Sequence, residues 1–444
     1  MGNYDPVQAL ANLPERFPQV RRWFIAYSGG LDSQVLLAAA VKALPQSSLV
    51  AIHINHQLQA EADVWQNHCE QIATSLSVKF VAVKVQPLSH SESSARDARY
   101  DAFQQALQAN DALLMAHHAD DQAETILFRL CRGSGVAGLV GIPEVRQFNQ
   151  ALIIRPFLEV TRSQLRAWAN QLGLKAGVHW IEDPSNAVED YDRNYLRLAV
   201  LPSLQKRWPH LVQRFVETSK HMAQAQSILT EVAEQDLLQV LEKPEVLNIP
   251  SLLTLSVARQ DNLLRAWLAR YSVIMNEKQS EQLRIQFLSG GANPERSMKL
   301  NDLWCLRTYR KRLFISPQSR LSLTPLYDLK GSMQLTSGQL TLPDSLIAQE
   351  TSIFIDFNRG TEKIHPMGRG VGKTIKQLFQ ENGVPPWLRE QWPLVCDSQG
   401  VLLVPGLCFD RRWQKKEDSV GSWQPFGLSD QPFFVSLQYH LDPS

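Results

Sequence analysis

The chain runs to 444 residues, too long for one compact core and long enough for two or three at about 150 residues each. Its 45 Lys and Arg offset 44 Asp and Glu, so net charge neither marks nor excludes a polyanionic partner. Five cysteines (Cys69, Cys131, Cys305, Cys396, Cys408) lie far apart with no C-x-x-C, which argues against a disulfide framework, structural zinc or a cysteine-held cluster and fits a reducing cytoplasm. No run reaches the roughly 18 apolar residues of a membrane span, and Met1–Pro6 lacks the basic and apolar regions of a secretory signal.

From the N-terminus, short apolar runs alternate with amphipathic stretches, the pattern of βαβ units around a parallel sheet. Strands are expected at Trp23–Tyr27, Leu49–Asn55, Lys79–Val85 and Ala112–His117, with crossover helices at Gln34–Ala43, Glu61–Ser75 and Ala95–Ala109. A further strand at Leu152–Ile154 leads to a helix opening at Thr161, whose spacing to Gln164 makes a capping box. Leu196 to about Leu238 reads as mostly helical, interrupted at Pro202 and Pro209. Helical patterning resumes from about Pro244 to Arg296, then short strands run to Phe314. Beyond a linker at Pro317–Pro325, strand-like segments at Gly338–Leu342, Ser352–Asp356 and Val401–Pro405 surround one helix, Lys373–Asn382. The expected fold is α/β: a doubly wound parallel-sheet domain over residues 1–217, a mostly helical middle domain over 218–317, and a small α+β C-terminal domain over 318–444.

The first strand feeds directly into Ser28-Gly29-Gly30-Leu31-Asp32-Ser33 and then into a helix, an arrangement that aims free backbone N–H groups at an anion. Adjacent glycines let the backbone approach phosphate oxygens closely, and the hydroxyls of Ser28 and Ser33 add donors. Asp32 would repel phosphate, so its natural partner there is Mg²⁺. The same residues also suit a plain helix start, with Asp32 or Ser33 as N-cap. They lack the Gly-Lys-Ser/Thr of a Walker loop. At the end of the first strand they resemble the PP-loop of the ATP pyrophosphatases, which cleave between the α and β phosphates of ATP.

Where the fourth strand ends stands His117-His118-Ala-Asp120-Asp121-Gln122-Ala-Glu124-Thr125. Ligands bind at the carboxyl ends of parallel strands, and Asp120, Asp121 and Glu124 there suit Mg²⁺ beside leaving pyrophosphate. Asp121 and Glu124 also have the N-cap and N3 spacing of a helix start. Adjacent histidines point apart, which disfavours zinc. Arg132 and Gly133 open a glycine-rich loop, with Arg132 suited to phosphate or RNA, and Asp192, Arg193, Asn194 and Arg197 concentrate polar groups at another helix start.

Together these segments resemble the tRNA(Ile)-lysidine synthetase family: SGGLDS, HHADDQAETILFRLCRGSGVAGL, RPFLEVTR at Arg155–Arg162, DPSN with YDRNYLR, and SESSARDARYDAF at Ser91–Phe103. In the tail, GRGVGKTIKQLF at Gly368–Phe379 and VPPWLR at Val384–Arg389 look like that family's C-terminal motif. The chain departs from many relatives at His56-Gln57-Leu58-Gln59. The resemblance implies a two-step reaction on cytidine 34 of tRNA(Ile). The C2 oxygen attacks the α-phosphate of ATP and releases pyrophosphate, and the ε-amine of free L-lysine then displaces AMP.

It further implies ATP and Mg²⁺ as cofactors. Ser28, Gly29, Gly30, Leu31, Asp32 and Ser33 would hold pyrophosphate, with His117, Arg132 and Gly133 beside the nucleotide and Asp32 and Asp121 on the metal. Asp120, Asp121 and Glu124 would serve Mg²⁺ or the lysine ammonium, and Arg193, Asn194 and Arg197 the adenylated base or departing AMP. A tRNA substrate needs local basic surface. Arg307, Arg310, Lys311 and Arg312 form one candidate. Arg369, Lys373, Lys376 and Arg389 form another, in a segment from Arg359 to Lys416 with ten Lys and Arg against five acids. No membrane and no stable protein partner is expected. Other readings are a PP-loop tRNA cytidine thiolase, for which no C-x-x-C is present, an amidating PP-loop ligase without an evident ammonia source, and a non-catalytic tRNA-binding protein.

Overall fold

A computed structural model describes residues 5–57, 59, 61–89, 92–182, 192–288, 296–318, 324–327, 329, 331–335, 338–347, 353–357, 359–367, 371–413 and 421–425. Ser91, Asp183-Pro-Ser-Asn186, Tyr191, Ser352 and Arg369, with the middle of the expected linker, fall outside them. The chain forms two compact units, Met1–Ile228 and Leu229–Ser444. The boundary expected after residue 217 falls inside one helix, Leu211–Val240.

The first unit is built on a six-stranded sheet in the order β3-β2-β1-β4-β6-β5. Its strands are β1 (Arg22–Ala26), β2 (Leu49–Asn55), β3 (Lys79–Lys84), β4 (Asp111–Leu114), β5 (Val145–Phe148) and β6 (Ala151–Ile154). All neighbours are parallel except β5 and β6, an antiparallel hairpin that the sequence reading missed at β5. β1 carries Trp23, Phe24 and Ile25 buried in succession, as a central strand covered on both faces requires. Each such side chain contributes about 2 kcal/mol by leaving water. At the amino ends of the central strands, Arg22 donates to both Asp111 carboxylate oxygens at 2.8 and 2.6 Å, across the register pair Arg22↔Asp111.

Strand order turns back between β1 and β4, so a crevice opens outside their carboxyl ends. Two helices start there, Leu31–Ala43 after β1 and Ala119–Cys131 after β4. β4 is shorter than expected: beyond Met115, whose N–H still donates to the Ile154 carbonyl at 2.9 Å, Ala116 to His118 leave the ladder to reach the second helix start, so His117 is in no strand. Helix Arg162–Gln171 opens with the expected capping box, Thr161 and Gln164 exchanging contacts of 3.3 and 2.9 Å.

The second unit holds two hydrophobic cores. One joins helices Val257–Ala269 and Glu277–Leu283 to a five-stranded antiparallel sheet, around Leu263, Trp267, Leu306 and Ile315. Leu241–Lys243 and Val246–Asn248 pair as a hairpin at the sheet's edge, the second strand lying where the sequence suggested helix. The hairpin Trp304–Tyr309 with Arg312–Pro317 turns through Arg310 and Lys311, both at positive φ (48° and 58°), a turn type that usually takes Asn-Gly. The other core packs helix Ile375–Glu381 on a four-stranded antiparallel sheet, through Ile375, Leu378 and Phe379. This is the expected small α+β arrangement.

Candidate active site

The turn after β1 is fixed in shape by its own side chains. Ser28 Oγ lies 3.0 Å from Ser33 Oγ, and Ser33 Oγ donates to the Gly30 carbonyl at 3.0 Å. Gly29 sits at φ +84°, and a Cβ there would lie 2.7 Å from Cys69 Sγ, so both conformation and space require glycine. Gly30, rather than Asp32 or Ser33, is the N-cap, and among the described residues no side chain caps this helix. The first N–H groups of the helix are therefore left for a ligand. Leu31 is buried and offers only its backbone.

Asp32 projects toward the second helix start. Its Oδ2 lies 3.6 Å from His118 Nε2 and 3.7 Å from Arg162 Nε, whereas its Oδ1 is buried with no partner among the described residues. Burial alone would raise its pKa, but the hydrogen bond and charge of His118, with the charges of Arg162 and Arg197, hold it below the ordinary value. His118, not Asp121, is the N-cap of Ala119–Cys131, and Asp121 is the N3 partner of its box where the spacing suggested a cap. The Asp121 carboxylate accepts from His118 N at 2.9 Å. Asp120 and Asp121 each place Oδ2 3.6 Å from the His118 ring, and Asp120 Oδ2 accepts from Arg162 N at 2.8 Å. Burial lowers the His118 pKa, but Asp121, Asp32 and Asp120 outweigh it and push it up to about 9.

Glu124, one turn along, is buried against Arg197. The guanidinium donates to its carboxylate at 2.6 and 2.8 Å and to Asp121 Oδ1 at 3.3 Å. Burial raises the Glu124 pKa against the opposing pull of Arg197. Arg197 lies on a π-helical turn, Leu196–Val200, just after helix Asp192–Tyr195, which carries Arg193 and Asn194. Arg193 lies over the Phe128 ring at 5.8 Å. Burial drives the His117 imidazole down to about 4, so it is neutral at physiological pH, and its Nδ1 is buried with no partner among the described residues. Arg132 meets the edge of this group, its guanidinium 5.2 Å over the Phe128 ring that Arg193 also meets, while the backbones of Arg132 and Gly133 stand away from the carboxylates. They lie at the far end of a 13-residue helix, about 20 Å from its cap.

Over residues 5–204 the chain matches the PP-loop domain family, over 247–314 the TilS substrate binding domain, and over 353–424 the TilS substrate C-terminal domain. It is 37% identical over 444 residues to the tRNA(Ile)-lysidine synthase of Pseudomonas fluorescens (strain Pf0-1), covering 94% of this chain and 98% of that one. It is 36% identical over 420 residues to the enzyme of the same name from Coxiella burnetii, covering 89% and 91%. The chain belongs to the tRNA(Ile)-lysidine synthases.

Several residues of this family member stand at the site without having been given a role from sequence. Arg162, at N1 of the Thr161-capped helix, meets Asp32 and Asp120. His53 Nδ1 donates to the Tyr27 carbonyl at 2.9 Å and steadies the strand end before the turn. Arg155 is buried and donates to the Pro143 carbonyl at 2.8 Å. The only available signal was that Arg155 and Arg162 bound the RPFLEVTR segment.

The basic residues expected on RNA are mostly engaged within the second unit. Arg307 lies 5.3 Å over Trp387, Arg310 donates to the Gln380 carbonyl, and Arg389 donates to Val384 O and Tyr309 Oη at 2.9 and 3.1 Å. Arg312 pairs with Glu242, and Lys373 with Glu381 at 2.6 Å. Lys311 and Lys376 are exposed. Arg369 lies outside the described residues.

Proposed function

We propose that this chain joins free L-lysine to C2 of cytidine 34 through an adenylated tRNA intermediate. The coarser statement follows from family membership: it is an ATP-using ligase that forms lysidine in tRNA(Ile). The observation that carries the finer reading is the juxtaposition, at the switch point of the sheet, of an uncapped glycine turn with Asp32, Asp120, Asp121 and the Glu124–Arg197 pair.

In this reading the backbone N–H groups of the turn, with Ser28 and Ser33, hold the β and γ phosphates. The C2 oxygen of the base bonds to the α-phosphorus as the bond to pyrophosphate breaks. The lysine ε-amine then bonds to C2, loses a proton, and AMP departs. Both steps depend on positioning and charge neutralisation more than on a protein nucleophile. Arg197, with Arg193 and Asn194 beside it, meets charge on the departing AMP. Asp120, Asp121 and Glu124 face Mg²⁺ or the lysine ammonium.

The donor set fits Mg²⁺. Asp32 has a buried oxygen with no partner among the described residues, and Asp121 shares the His118 ring with it. An ion bound by one or two carboxylates plus substrate phosphates suits Asp32 and Asp121. Mg²⁺ held there by Asp32 and Asp121 would neutralise phosphate charge.

We read the second unit as the tRNA-gripping part, with Lys311 and Lys376 meeting phosphates and the arginines around Trp387 holding its two cores together. No helix among the described residues is long and apolar enough to cross a membrane, and a tRNA substrate suits the cytoplasm. The test is incubation with ATP, labelled lysine and tRNA(Ile) bearing C34, followed by nucleoside analysis. Label is expected in the C34 nucleoside with AMP formed in equal amount, and label at any other nucleoside would overturn the reading.

A further inference from the structure

Helix Ala119–Cys131 carries Asp121 and Glu124 on one face and packs a neighbouring face, Ala119, Ala123 and Leu127, against Leu201, Leu211, Val212, Phe215 and Val216. Two of the residues on the helix side are alanines, so this seam offers little shape to resist sliding. Gln122 lies on the same face and is 4% exposed, and its amide is fully used. Its Oε1 accepts from Ile142 N at 2.6 Å, and its Nε2 donates to Ile142 O at 3.1 Å and to Ser219 Oγ at 2.9 Å. Ser219 Oγ in turn donates to Val140 O at 2.6 Å. Gly141 makes room, since a Cβ there would fall 2.4 Å from Gln122 Oε1.

We propose that Gln122 and Ser219 are positioning residues for the reaction, a polar pin that fixes the register of the carboxylate helix against the segment bearing Arg197. A buried polar pair in an apolar helix seam penalises every other register, because sliding leaves its donors and acceptors unpaired. Arg197 comes from the Ser219 side of the seam: Leu201, four residues on, packs with Val212 in the cluster that receives Ala119 and Ala123. Contacts of 2.6 and 2.8 Å between Arg197 and Glu124 do not survive a slip of even about 1 Å. The pin touches neither nucleotide nor base. It acts through the Arg197–Glu124 pair, and so rests on the reading of that pair as part of the active site.

The experiment measures lysine-dependent AMP formation by the full chain with ATP and tRNA(Ile). Ser219→Ala is expected to lower kcat about tenfold with KM for ATP and tRNA within about twofold, and Ser219→Thr, which keeps the hydroxyl, to restore it. In an Arg197→Lys background, already slow, Ser219→Ala is expected to add no further loss, because the two act through one contact. The proposal is overturned if Ser219→Ala keeps wild-type kcat, whether or not it melts earlier. It is also overturned if the change raises KM instead, or if its loss multiplies with that of Arg197→Lys. Wild-type turnover by Arg197→Lys itself would instead remove the reading of the active site.

Discussion

Arg197 reaches Glu124 across 73 residues of sequence to make a paired contact in the first unit. In the second unit Arg359 meets Asp356 three residues away, Lys373 meets Glu381 eight away, and Arg412 meets Asp397 fifteen away. The second unit has distant pairs of its own, Arg259 with the buried Asp236 and Arg312 with Glu242, but neither stands beside further carboxylates at a sheet's switch point, as Arg197 and Glu124 do with Asp121 and Asp32. Pairs made with near neighbours at a surface contribute about 0–1 kcal/mol and decorate a local fold. A buried pair assembled from distant segments costs desolvation, and what that cost yields is fixed charge where chemistry needs it. The company a pair keeps, more than its reach along the chain, separates a site from a solvated basic face.

The largest test is Asp32→Ala, which removes the carboxylate whose Oδ1 has no partner among the described residues. Lysine- and tRNA-dependent pyrophosphate release should fall about 10³-fold with tRNA affinity nearly unchanged in filter binding. Turnover near wild type would end the comparison at its stronger pole. Next, Arg197→Ala should lower turnover about 10²-fold and destabilise the chain by about 3 kcal/mol, because Glu124 stays buried without its partner. Adding Glu124→Gln should recover melting temperature but not rate. Recovery of both would make the pair structural, like those of the second unit.

Gly29→Ala should raise KM for ATP about tenfold, since a left-handed conformation costs a residue with a Cβ about 1–2 kcal/mol. Adding Cys69→Ala should return part of that loss by removing the contact at 2.7 Å, but not the part due to φ. The smallest effects lie on the basic face. Lys376→Ala should weaken tRNA binding a few-fold and reduce the slope of log affinity against log salt by about 1. Arg307→Ala should leave that slope unchanged and lower melting temperature, because its guanidinium lies over Trp387. Equal slope changes would return Arg307 to the RNA face.

The sheet was legible where alternation and burial agree: Leu49–Asn55 was read with the bounds it has, and the turn after β1 stood out because glycines there follow a buried strand. β5 was missed because half its residues, Arg146 and Gln147, are exposed and its antiparallel pairing breaks the βαβ rhythm. The hairpin around Pro244-Glu245 lacks the Asn-Gly that marks such turns, and its apolar residues blend into the preceding helix. At the site, the carboxylates could be named from sequence but not their partners. His118 is not a usual N-cap, so spacing rules shifted the cap to Asp121. The Arg197–Glu124 pair and the Gln122–Ser219 bond join residues 73 and 97 apart, and no local pattern encodes such distances.

Cys69, wedged beneath Gly29, has a further use. Burial pushes its thiol up to about 12, so the reactive thiolate is scarce. Cys131 is exposed, and Cys305, Cys396 and Cys408 are buried elsewhere. In a chain carrying Cys131→Ser and the other three replaced by alanine, alkylation of Cys69 becomes a clock for opening of the glycine turn. Bound nucleotide should slow that clock by the fraction of time it keeps the turn closed.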